Sequence, residues 1–215
     1  RVSVPETATK LRISLVSGGP AETTGVFLID DLSVATVPNT LLTGNVWPNP
    51  NFEEGTSLDT PTGTPLGWNR GGNDTAIDIV TSGMASSPTH GLAVSDTNAA
   101  GYGEWYANLD LSGVAAPGDT LKLQWFEAYQ VSAGGEMRLS VLFWTGANVL
   151  ASEQHYVARG ESPGWSGISS ASPLVRRTDR IVVPAGATRL QVSVVSGGSP
   201  ETTGFFVVDD LSIAV

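Results

Sequence analysis

Apolar and polar residues alternate along most of this chain. Leu121, Leu123 and Trp125 alternate with Lys122 and Gln124. Leu139, Val141 and Phe143 alternate with Arg138, Ser140 and Leu142, and Leu190, Val192 and Val194 with Gln191 and Ser193. The same spacing recurs early, in Leu11, Ile13 and Leu15 against Arg12 and Ser14. A period of two places one side of a strand in a core and the other in water, so these runs predict half-buried antiparallel strands. Turn formers separate them: Pro117-Gly118-Asp119, Gly134-Gly135, Pro184-Ala185-Gly186 and Gly197-Gly198. No stretch shows helical spacing with caps. Strands at this spacing without helical partners predict an all-β fold, a two-sheet sandwich or a barrel.

The chain also repeats its own ending. Arg1–Ala35 aligns without a gap on Arg180–Ala214, with 21 of 35 positions identical. The matches include Ser17-Gly18-Gly19, Glu22-Thr23-Thr24-Gly25 and Asp30-Asp31-Leu32-Ser33, which return as Ser196-Gly197-Gly198, Glu201-Thr202-Thr203-Gly204 and Asp209-Asp210-Leu211-Ser212. The period is that of a whole domain rather than of a short solenoid repeat. The expected organisation is therefore the terminal strands of a preceding repeat over residues 1–36, a linker over 37–44, and a complete unit over 45–215. An isolated pair of strands is marginal in water. Residues 1–36 are therefore expected to pack on their own unit, on a neighbouring repeat or on an identical chain.

Composition narrows the function classes. The chain holds 11 basic and 21 acidic side chains, a formal charge of −10. An acidic surface repels phosphate backbones and anionic lipid, so nucleic acid is not an expected partner. No apolar run reaches the length of a membrane-spanning helix, and no membrane insertion is expected. With no cysteine, disulfides, thiol catalysis and cysteine metal sites are excluded together. A unit of this size buries enough surface to fold without staples.

Three landmarks within residues 45–215 carry a family resemblance. Asn49-Pro50-Asn51-Phe52-Glu53 and Gly67-Trp68 open the unit, Val183-Pro184-Ala185-Gly186-Ala187-Thr188 follows Trp165, and Asp209-Asp210-Leu211-Ser212 closes it. This order resembles the carbohydrate-binding-module jelly rolls of bacterial secreted proteins, with Pro50 where a glycine is usual. The resemblance implies an antiparallel two-sheet jelly-roll β-sandwich, an extracellular or cell-surface setting, and a polysaccharide or cell-surface glycan as partner. It also implies a structural Ca²⁺ held by Glu53 and by Asp209 or Asp210, because hard oxygen ligands suit calcium. Alternation from Leu211 and Ile213 places Asp209 on the core face. The alternative is that these acids cap backbone N–H groups at turns.

Sugar-binding faces use flat aromatic rings flanked by polar side chains. Trp68, Trp125 and Trp165 are expected in the core. Gln124 and Phe126 point away from Trp125, Arg138 and Trp144 point away from Leu139 and Phe143, and Tyr106 shares a face with Glu104 and Asn108. Together with Tyr102, Glu127 and Tyr129 they form a candidate glycan-binding sheet face. His90 and His155 lie in no nucleophile or metal motif, and Asn73-Asp74-Thr75 is a chance sequon. Two readings follow: a non-catalytic carbohydrate-binding module, or a structural repeat of a surface filament or adhesin joined through its terminal strands. A polysaccharide-active enzyme domain is a distant third.

Overall fold

The computed structural model describes residues 41–58, 63–72, 77–82, 90–96, 102–150, 154–165, 174–197 and 202–215, with the backbone alone for 77–82. All belong to one compact unit, Thr40–Val215. Residues 1–36, the first half of the linker and the sequon at Asn73 lie outside the described residues, as do Asp30 and Asp31.

The strands in chain order are β1 (Gly55–Thr56), β2 (Thr64–Pro65), β3 (Trp68–Gly72), β4 (Ile77–Ser82), β5 (His90–Asp96), β6 (Gly103–Asp110), β7 (Thr120–Val131), β8 (Met137–Thr145), β9 (Asn148–Val149), β10 (Gln154–Ala158), β11 (Val175–Val182), β12 (Arg189–Val195) and β13 (Gly204–Ala214). Beyond the small β1–β2 pair they form two sheets. The first runs β10-β8-β12-β6-β3, with β9 on the end of β8; the second runs β11-β7-β13-β5-β4. Every pairing is antiparallel. From β5 to β8 the chain changes sheet at each strand, and it does so again from β10 to β13, giving the expected jelly-roll sandwich. Among the described residues no helix is long and apolar enough to cross a membrane.

The alternation read from the sequence becomes the core. Leu139, Val141, Phe143, Leu190, Val192 and Val194 of the first sheet meet Leu121, Leu123, Trp125, Phe206, Val208 and Ile213 of the second, all buried. Each such side chain contributes about 1.5–3 kcal/mol on leaving water. Trp105 also donates its indole N–H across the sandwich to Ala93 O at 3.1 Å. One end is plugged by Trp47, Phe52 and Trp68, whose rings meet edge to face at 6.0 and 5.4 Å.

The opening landmark has a local job. Asn49 sits at φ 44°, a conformation asparagine tolerates. Its amide donates to Glu54 O and Leu66 O at 2.8 and 3.1 Å, and its Oδ1 accepts from Glu54 N. This clamp forms the turn that drives Phe52 into the core.

Two expectations need correction. Trp165 does not enter the main core: it packs on Phe205 at 5.9 Å, in a second cluster with Ala93, Ala128, Val207 and Leu174. That cluster covers the outer side of the second sheet. Asp209 does not share the face of Leu211 and Ile213. The register of β13 on β7 slips between Asp209 and Ser212, where Asp210 takes φ 47°. Asp209 pairs with Phe126, an outward position, and Leu123 pairs with Ile213 inside. An inserted residue reverses the parity beyond it.

Candidate functional site

The eight residues expected to share a sheet face divide among different surfaces. Glu127 and Tyr129 lie on β7 with the parity of Trp125, so they point inward and are buried at 5% and 9% exposure. Gln124 and Phe126 point outward from the same strand, on the second sheet, where Gln124 is buried and accepts from Arg176. Tyr102 is exposed just ahead of β6. Only Tyr106, Arg138 and Trp144 gather on one face, the outer side of the first sheet.

That face is built in rows set by strand register. Asn69 on β3, Tyr106 on β6, Ser193 on β12, Ser140 on β8 and His155 on β10 stand directly opposite one another in turn. The next row toward one end is Gly71, Glu104, Val195, Arg138 and Val157. Toward the other end, Asp110, Arg189, Trp144 and Val149 form a third. Ser140 and Ser193 are buried beneath their longer neighbours. Ser140 Oγ lies 2.9 Å from His155 Nδ1, and Gln191 Nε2 donates to Ser193 Oγ at 3.0 Å.

Gly71 sets the position of the aromatic. A methyl group there would stand 3.0 Å from Glu104 Oε2 and 3.3 Å from Tyr106 Cε1. The missing side chain lets the half-buried Tyr106 ring and the Glu104 carboxylate close over β3. At the far row, Arg189 lies over the Trp144 ring with its guanidinium carbon 4.6 Å from the centroid. Nε of Arg138, Nε1 of Trp144 and Nε of Arg189 are buried donors without a hydrogen-bond partner. All three belong to this face, and such donors are costly unless a ligand or water meets them.

Ser193, Gln191, Arg189, Asp110 and Gly71 escaped the sequence reading as site residues. For Ser193, Gln191, Arg189 and Asp110 the signal was the alternation on β6 and β12, which marked the outward positions without showing that these strands lie side by side; Gly71, on β3, had none.

The carboxylates for which calcium was expected have partners within the chain. Glu53 Oε1 accepts from His90 N at 2.9 Å, and Oε2 lies 2.8 Å from His90 Nδ1. Asp209 Oδ1 accepts from Asp210 N at 2.7 Å, at the bulge. Among the described residues no group of three or more His, Cys, Asp and Glu is placed to hold a metal ion. Both Glu53 oxygens are engaged by His90, so a calcium site on Glu53 and Asp209 or Asp210 would require that contact to open.

A different acidic cluster closes the open side of the sandwich between the edge strands β10 and β11. Glu127 takes the indole N–H of Trp125 at 2.7 Å and Arg177 Nε at 2.8 Å. The bond to Glu127 is the main reason the Arg177 pKa lies above its ordinary value. Tyr156 donates to Asp179 at 2.5 Å and packs on Trp125 at 4.7 Å between ring centres. Burial first, then the bond to Asp179 and its charge, raise the Tyr156 pKa well above the usual tyrosine value. Every member of this set is partnered from within, as a structural seal would be.

No family model matches the sequence, and no curated protein matches it. The fold is similar to the enzymatically active domain of tailspike protein 4 of bacteriophage CBA120, with TM-score 0.53 and 14% identity over 79% of this chain and 21% of that one. The likeness thus spans about a fifth of that chain. It is also similar to TmCBM61, solved with β-1,4-galactotriose, with TM-score 0.47, 16% identity and coverage of 80% and 98%. A third likeness is the C-terminal family 22 carbohydrate-binding module of Clostridium thermocellum Xyn10B, with TM-score 0.45, 14% identity and coverage of 77% and 95%. At these identities the likeness extends to the β-sandwich fold.

Proposed function

We propose that the protein is a non-catalytic carbohydrate-binding module that takes a polysaccharide or cell-surface glycan on the outer face of its first sheet. One observation carries this reading: the Tyr106 ring lies beside the bare backbone of Gly71, in a row with Asn69, Ser193, Ser140 and His155. A sugar ring stacks on an aromatic face while neighbouring polar groups read its hydroxyls. The setting is then extracellular or at a cell surface, within a tandem-repeat protein. Catalysis by paired carboxylates is disfavoured on this face. Glu104 and Asp110 lie six positions apart on β6, about 20 Å at strand rise, against roughly 5–10 Å in glycoside hydrolases.

The test is retardation in gels cast with soluble polysaccharides. Tyr106→Ala should weaken retention by about tenfold, equivalent to ~1.4 kcal/mol. Phe126→Ala, on the opposite sheet, should leave it unchanged. A wild-type chain that no polysaccharide retards, or equal losses in both variants, defeats the reading.

The second reading, a filament repeat joined to neighbouring repeats or identical chains, calls on residues 1–36. Of the two edges of the second sheet, β11 and β4, the β11 edge carries Arg176, Arg177, Asp179 and Arg180, charges of the kind that discourage strand addition.

A further inference from the structure

Beyond Tyr106, the same sheet face ends in an open depression of about 400 Å³ lined by Asn108, Asp110, Gly146, Thr188 and Arg189. We propose that this depression is a second subsite, taking a neutral sugar ring of the glycan chain whose other part lies at Tyr106. The inference rests on the reading above and adds where the chain runs and what its far sugar is.

Three features point there. Asp110 and Arg189 are direct cross-strand neighbours in the register of β6 and β12, yet they form no ion pair. Asp110 Oδ1 instead accepts from Ser112 N at 2.8 Å, while the buried Arg189 Nε has no partner. The Asp110 carboxylate and the Arg189 guanidinium, not committed to each other, thus stand side by side as an accepting and a donating group, the arrangement that reads two adjacent hydroxyls. Second, their charges cancel, and Asn108 and Thr188 add only neutral groups. A uronate carboxylate would gain Arg189 at the cost of facing Asp110, so the site favours an uncharged sugar. Third, the floor is fixed: Thr188 N and Oγ1 both donate to Trp144 O, at 2.8 and 3.2 Å. Gly146, at φ 56° in the turn after β8, leaves the side open.

The two subsites are four positions apart on β6, about 13 Å at strand rise. A short glycan fills one and a longer one reaches both. Affinity should therefore climb with chain length in the wild-type protein, and only the climb should depend on Asp110 and Arg189.

The experiment is calorimetric titration of the full chain with disaccharides and hexasaccharides of β-1,4-linked xylose and β-1,4-linked galactose, with galacturonate oligomers as the acidic series. Wild-type protein should bind one neutral hexasaccharide about tenfold or more tighter than its disaccharide. Arg189→Gln and Asp110→Asn should each erase most of that gain and leave disaccharide affinity unchanged. Should either variant fold poorly, Asn108→Ala, at an exposed position with no structural duty, provides the same readout. Unchanged hexasaccharide affinity in these variants, with Tyr106→Ala still weakening binding, overturns the subsite and leaves the sheet-face reading standing. Preference for the galacturonate series overturns the neutral-sugar assignment. No binding of any oligosaccharide removes the sheet-face reading and the subsite with it.

Discussion

Trp125 donates its indole N–H to Glu127, two positions along the same strand, at 2.7 Å. The second carboxylate oxygen accepts Arg177 from the neighbouring edge strand. A carboxylate buried between two sheets is tolerable only with both oxygens met. Replacing it leaves a buried indole donor and a guanidinium without their acceptor. Glu127→Ala should cost about 2–4 kcal/mol in urea unfolding. A loss below about 0.5 kcal/mol, the usual scale of a neutral surface change, would show that the seal is ornamental.

Tyr156 gives the seal an alkaline signature. Its folded pKa is raised, so the folded chain keeps the phenol proton after the unfolded chain has released it. The unfolded state then binds fewer protons, and stability falls as pH climbs above the ordinary tyrosine value of about 10. The contribution is complete below that pH. Tyr156→Phe should flatten the decline between about pH 10 and 12, measured by denaturant midpoints against the wild type. Identical slopes in the two proteins would remove Tyr156 as the cause.

Gly204 opens β13 at φ 146°, and an added methyl group there would lie 2.2 Å from Gln130 O. The obstacle is backbone in the middle of the second sheet and has no rotamer to give. Gly204→Ala should lower stability by about 3 kcal/mol through strain and displacement of β7. Thermal melts of the variant and of the wild type compare them directly; equal midpoints would mean the strand start can shift freely.

Glu53 binds His90 through both carboxylate oxygens. The opening turn is thereby tied to the first residue of β5 by side-chain chemistry of the chain's own. The melting temperature should accordingly stay the same, within a degree or so, after exhaustive treatment with a chelator. A drop restored by added calcium would mean that Glu53 swings from His90 to join Asp209 and Asp210 around an ion.

Much of the fold was legible because alternation is a local property. Leu121-Leu123-Trp125 and Leu190-Val192-Val194 announce strand, period and inward face without knowledge of any partner. Two things escaped that logic. Parity survives only while the ladder is regular, and the extra residue at Asp209–Asp210 turned a correct rule into the wrong face. Parity also says which side of a strand a residue takes, but not which sheet holds the strand. Phe126 and Trp144 both point outward, yet from opposite sides of the molecule. Arg189 and Asp110 become neighbours through the pairing of strands almost eighty positions apart, which no window of sequence displays.

β12 lies between β8 and β6, and β13 between β7 and β5. The last two strands are therefore a pair of keystones, one in each arch. Trimming the chain from its end would not shave an edge. It would draw the wedge from both sheets and leave β8 parted from β6 and β7 from β5. Arg180–Ala214, the segment that carries both keystones, is also the segment whose sequence stands repeated at Arg1–Ala35.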